Sequence, residues 1–137
     1  MKKLLNKLLP VNHPQHCILG FVEVLIGLIL IINDYYFFYP PQLVIVLNDD
    51  LVGGAAVIFG IATIKWALDN KNKIAINRNL LLFSAFFWGF EITAEIMQGL
   101  RSCSPTRFVI AVLSLGLLLF TFSIIGKSPK SKYSKKQ

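Results

Sequence analysis

The chain has 137 residues, 55% of them hydrophobic, a mean hydropathy of +0.62 and a formal charge of +7. Such an apolar balance excludes an ordinary water-soluble domain of this size, and the length suits a single domain. The charge alone would admit a nucleic-acid binder, so the distribution of the 14 basic residues has to decide.

The chain opens with "MKKLLNKLLP", where Leu4, Leu5, Leu8 and Leu9 alternate with lysines up to Pro10. That pattern predicts a short amphipathic helix lying in the headgroup layer. Four apolar runs follow, at residues 17–33, 51–68, 80–100 and 108–126, each with 17 to 21 residues. A hydrocarbon core about 30 Å thick needs roughly 20 residues of helix, so each run predicts a transmembrane span. In lipid the backbone must satisfy its own hydrogen bonds, and the period-two alternation of a membrane barrel is absent. The fold expected is an all-α integral membrane protein with four spans, followed by a disordered lysine-rich tail at 127–137. The first run follows a basic stretch as a secretory signal would. No small-residue cleavage site comes after it, so it is read as a permanent helix.

Between runs one and two lies the aromatic cluster "DYYFFYPP", of the kind found at a lipid-water boundary. It is followed by "QLVIVL", apolar but too short to cross, which is compatible with a re-entrant piece, an interfacial strand or a partner's docking patch. Lys2, Lys3, Lys7, Lys65, Lys71, Lys73, Arg78, Lys127, Lys130, Lys132, Lys135 and Lys136 all fall on one side of the predicted membrane. The other side has only Arg101 and Arg107, with Asp34, Asp49 and Asp50. The positive-inside rule therefore predicts cytoplasmic termini in the cell membrane. The lysines of the N-terminus and tail (Lys2, Lys3, Lys7, Lys127, Lys130, Lys132, Lys135, Lys136) are expected to meet anionic lipid headgroups, and nucleic acid is not an expected partner.

Run three carries a polar stripe at helical spacing: Ser84, Trp88, Glu91, Glu95, Gln98 and Ser102. A carboxylate facing hydrocarbon costs roughly 2.5–3.5 kcal/mol on insertion scales, so this seam must face other helices or a wet cavity. Run one adds Glu23 between Gly20 and Gly27, and run two offers Gly53, Ala56, Gly60 and Thr63 on one close-packing face. Spans one to three are thus expected around an interior with up to three acids, which, facing one water-filled volume, would make a proton-exchanging or cation-binding site. The structural alternative is that Glu91 or Glu95 pairs with Arg101, Arg107 or Lys65 and serves packing alone.

His13, His16 and Cys17 are metal-ligand types, but half of a tetrahedral set is missing, so no metal is expected. Cys17 and Cys103 fall at opposite faces and are not expected to pair. Ser104, Ser114 and Ser123 have no partners for a triad, and phosphate-loop and metalloprotease motifs are absent, so neither a cofactor nor enzymatic activity is expected.

Four spans with an acid at Glu23 in the first resemble the small multidrug resistance transporters, a resemblance that implies exchange of protons for a cationic drug. The two acids of span three, the outer loop and the basic tail depart from that family. The short chain with its lysine-rich end also resembles phage holins, which permeabilise membranes. The reading placed first is a small oligomeric, holin-like channel whose cation-attracting path is lined by Glu91, Glu95, Gln98, Ser84, Trp88 and Glu23. A proton-coupled transporter is the second reading. A non-conducting adaptor, exclusion or immunity factor holding a larger partner is the third.

Overall fold

The computed structural model describes residues 13–48, 50–69 and 74–128, and among these it is helical, with no strand. Helix α1 spans Pro14–Ile32, a short α2 spans Val44–Leu47, α3 spans Asp50–Leu68, α4 spans Ile74–Ser102 and α5 spans Pro105–Lys127. All but α2 are long and apolar enough to cross a membrane, consistent with a multi-pass membrane protein. The N-terminal amphipathic helix and nearly all of the lysine tail lie outside the described residues.

Each helix starts before its apolar run, for a local reason. Pro14 and Pro105 stand at the first turns of α1 and α5, where proline's fixed φ favours helix and its missing N–H costs nothing. Asp50 opens α3, placing a negative charge at the positive end of the helix dipole. The largest correction is α4, expected at 80–100 and in fact 29 residues long, about 44 Å. Its first turns, "IAINRN", hold no Gly or Pro to break a helix, so the helix outruns the hydrocarbon layer. Lys127, assigned to the tail, is the last residue of α5. "QLVIVL" is neither a strand nor a crossing segment but supplies the single turn of α2.

The spans form two antiparallel hairpins. In the first, α1 and α3 touch backbone to backbone at two places: a Cβ on Gly20 would lie 2.6 Å from Gly60 O, and one on Gly27 would lie 2.7 Å from Gly53 O. Only glycine fits there, as in membrane helix pairs built on small residues. Ala56, between those contacts, is fully buried. In the second hairpin Cys103 and Ser104 join α4 to α5, Cys103 taking the left-handed φ of 50° that reverses the chain so tightly. Gly99 lets Arg107 and Phe108 approach α4 just below that turn, with their side-chain atoms 3.2 Å from where its Cβ would be.

The core between the hairpins contains Leu19, Leu30, Phe37, Leu81, Phe87, Trp88 and Ile124. Outward faces carry exposed Leu, Ile, Val and Phe, as lipid contact requires. The hydroxyls of Thr63, Ser84 and Thr121 bond the carbonyl four residues back, which satisfies them inside an apolar bundle.

Candidate functional site

Along α4 the residues Asn77, Ser84, Trp88, Glu91, Glu95 and Gln98 are all buried, while Ser102 at the end of the stripe is exposed. The predicted seam thus faces protein. Glu23 of α1 and Glu95 are 0% exposed, and Glu91 is 2% exposed, so all three membrane carboxylates are covered within one chain.

At one end of the seam Arg107 Nη1 donates to Glu95 Oε1 at 2.9 Å and Nη2 donates to Tyr36 O at 3.3 Å. The guanidinium also lies 5.1 Å from the Tyr36 ring centroid and 5.4 Å from that of Phe38. Residues 36–38 are drawn into the bundle by this contact. The Phe38 N–H donates to Gln98 Oε1 at 3.0 Å, and Phe37 is buried against Phe90. Asn48 secures the fold-back from the far side of the loop: its Oδ1 accepts from the Phe37 N–H at 2.9 Å and its Nδ2 donates to Phe37 O at 2.6 Å. The Tyr36 hydroxyl is pushed above its ordinary range, first by burial and then by the nearby Glu91 and Glu95 carboxylates. It therefore stays protonated and neutral beside the acids.

At the middle of the seam polar satisfaction fails. Ser84 faces Glu23 but gives its hydrogen bond to Leu80 O at 3.1 Å, and neither Glu23 oxygen has a hydrogen-bond partner. Glu91 Oε1, Glu95 Oε2, Trp88 Nε1 and Gln98 Nε2 are likewise buried and without one. Every such orphaned side-chain atom among the described residues thus belongs to Glu23 or to the α4 seam. Native proteins keep few buried polar groups unpaired, because each costs about 1–3 kcal/mol and a charged one more. A buried carboxyl group that accepts no hydrogen bond is least costly there when it carries a proton or holds a cation.

At the opposite end the seam closes differently. His16 Nε2 and Asn77 Oδ1 are 2.9 Å apart, Asn77 Nδ2 donates to Ser128 Oγ at 3.1 Å, and that hydroxyl donates to Ile124 O. The His13 and His16 rings pack on Trp66, with centroids 4.9 and 4.8 Å from it.

The residues that the helical spacing singles out, Glu23, Ser84, Trp88, Glu91, Glu95 and Gln98, are therefore brought onto one buried seam, and Gly20, Gly27, Gly53 and Gly60 onto one helix contact. Arg101 and Lys65, weighed as partners for the acids, are exposed, and the partner that Glu95 takes is Arg107. Tyr36, Phe38, Asn48 and Asn77 are parts of the site that the sequence pattern does not mark out. Asn77 did leave a signal, since it lies two helical turns before Ser84 on the same stripe. Compared with known protein families, curated proteins and solved structures, the chain matches none. Any reading of its function therefore rests on the seam.

Proposed function

We propose that this protein is a small multi-pass carrier of the cell membrane in which the buried carboxylates exchange protons for a cation. The observation behind this is the seam itself: Glu23, fully buried with both oxygens unpartnered, lies between hairpins whose interior holds three carboxylates against one guanidinium. Two of those acids lack a compensating charge, and intramembrane acids without partners mark proton and ion sites. One proton exchanged for one monovalent cation leaves the buried charge unchanged, so a cycle adds no uncompensated charge to the interior.

The occluded geometry supports exchange over steady conduction. One end is covered by the Tyr36–Phe38 segment pinned through Arg107 and Gln98, the other by His16, Asn77 and Ser128. Access from either side requires one of these closures to open, as alternating access does. By the positive-inside rule, the distribution of Lys and Arg along the sequence favours the His16 side as the cytoplasmic one and the Arg107 side as the outer one. The described residues of one chain supply four candidate spans, a small bundle, so a homo-oligomer is the natural working form, embedded among anionic lipids.

The test is proton release in acid-loaded proteoliposomes containing an internal pH dye, on external addition of Na⁺, K⁺ or ethidium. Wild type is expected to give saturable, cation-driven release that Glu23→Gln and Glu91→Gln abolish. A non-saturating current that persists without a pH gradient would make the seam part of an oligomeric pore instead. No flux under any condition would reduce the carboxylates to packing and direct attention to a protein partner.

A further inference from the structure

Beyond the seam, a cleft of about 330 Å³ opens at the end of the bundle where α1 and α4 begin and α3 and α5 end. Its size falls at the lower end of the range of small-ligand pockets, roughly 300–1,000 Å³. The lining comes from all four long helices and their flanks: His13, Gln15 and His16 from the α1 side, Trp66 from α3, Asn77 from α4, and Lys127 with Ser128 at the end of α5. Among the described residues that line it, the single formal charge is the exposed Lys127 ammonium, and none is a carboxylate.

The walls are fixed before any ligand arrives. The relay from His16 through Asn77 and Ser128 to Ile124 O ties α1, α4 and α5 together. The His13, His16 and Trp66 rings, packed edge-on and tilted against one another, make an aromatic side. Against these walls stand donors on longer side chains, the Lys127 ammonium and the Gln15 amide. A cationic guest would meet Lys127 with no acid among the described lining residues to offset it, and an apolar guest would gain nothing from either group. An anionic oxygen group meets both requirements.

We infer that this cleft is a binding site for a phosphate-bearing anion. Its position at the helix ends, level with the headgroup layer, makes the phosphodiester of an anionic lipid the natural occupant. Basic pockets between spans on the cytoplasmic side suit that chemistry. A free phosphate shares the chemistry, and the two sources separate experimentally.

The experiment is native mass spectrometry of the purified full chain in detergent, titrated with phosphatidylglycerol, phosphatidylcholine or inorganic phosphate. Wild type is compared with Lys127→Gln and with Arg78→Gln, an exposed basic residue at the same end that does not line the cleft. Wild type is expected to retain one phosphatidylglycerol in preference to phosphatidylcholine. Losing Lys127 is expected to weaken retention about fivefold, the effect of a single basic residue near an anionic surface. Arg78→Gln is expected to leave it within twofold. Inorganic phosphate that binds and displaces the lipid would support the same site with a soluble occupant. Equal retention of the two lipids, or equal loss in both variants, would overturn the proposal, because diffuse surface charge does not distinguish Lys127 from Arg78.

Discussion

Replacing Arg107 by glutamine tests whether the outer closure is held by charge. The wild-type guanidinium is 21% exposed and its partner Glu95 0%, so the substitution leaves a fully buried carboxylate without its counter-ion. Removing one member of a buried pair costs about 3–5 kcal/mol, and the partial exposure of Arg107 puts this case near 3. Loss of the cation-π contacts to Tyr36 and Phe38 adds about 0.5–1 kcal/mol each. The measurement is reversible unfolding in mixed micelles by SDS titration, for wild type, Arg107→Gln, Glu95→Gln and the double variant. Arg107→Gln is expected to cost about 4–5 kcal/mol, and the double variant less than the sum of the singles by at least about 1.5 kcal/mol, within the range found for contacting residues. A cost below about 1 kcal/mol for Arg107→Gln, or a cycle that adds without coupling, would refute the argument. The pair would then be a solvated surface contact, and the Tyr36–Phe38 segment would depend on Gln98 and Asn48 alone.

Two further predictions address other parts of the bundle. Gly20→Ala, whose new Cβ would meet Gly60 O at 2.6 Å, is expected to destabilise the protein by about 1–3 kcal/mol in the same titration. Gly54→Ala, which meets nothing within 4 Å, is expected to be neutral or to gain up to about 1 kcal/mol from helix propensity, and equal effects of the two would contradict the close approach of α1 and α3. Phenolate absorbance up to pH about 11 is expected to have the same amplitude in wild type and Tyr36→Phe, because the buried Tyr36 keeps its proton where an ordinary tyrosine loses it near 10. The sign for stability follows: the raised value leaves folding unaffected below pH about 10, and above it the unfolded chain releases a proton that the fold retains, so stability falls as pH rises.

The spans and the buried stripe were legible in the sequence because lipid imposes one rule on every residue. Apolar length marks a crossing, and the polar residues of α4 at helical spacing had to share a face turned from hydrocarbon. The glycines at positions 20, 27, 53 and 60 were legible for a similar reason, though not their pairing, which depends on how far α1 and α3 slide along each other. The helix ends were misjudged where hydropathy and helix propensity part company, as in the polar first turns of α4. The choice of Arg107 over Arg101 as the partner of Glu95 was hidden because it depends on the two-residue turn at Cys103 and Ser104. The loop closure was hidden more deeply. It is built from backbone groups of Tyr36, Phe37 and Phe38, which every residue possesses and no side-chain pattern reveals.

Glu23 also bears on the order of assembly. During synthesis α1 and α3 emerge first and can join through their glycine contacts, but the face of Glu23 that Ser84 covers belongs to a helix not yet made. Until α4 arrives, the newborn hairpin carries an acid with no protein to shield it on that side. The second hairpin brings one acid with its counter-charge, since Glu95 and Arg107 lie on neighbouring helices, and one without, Glu91. Each half therefore contributes one acid without a counter-charge, and Glu23 is covered on that side only once α4 is in place.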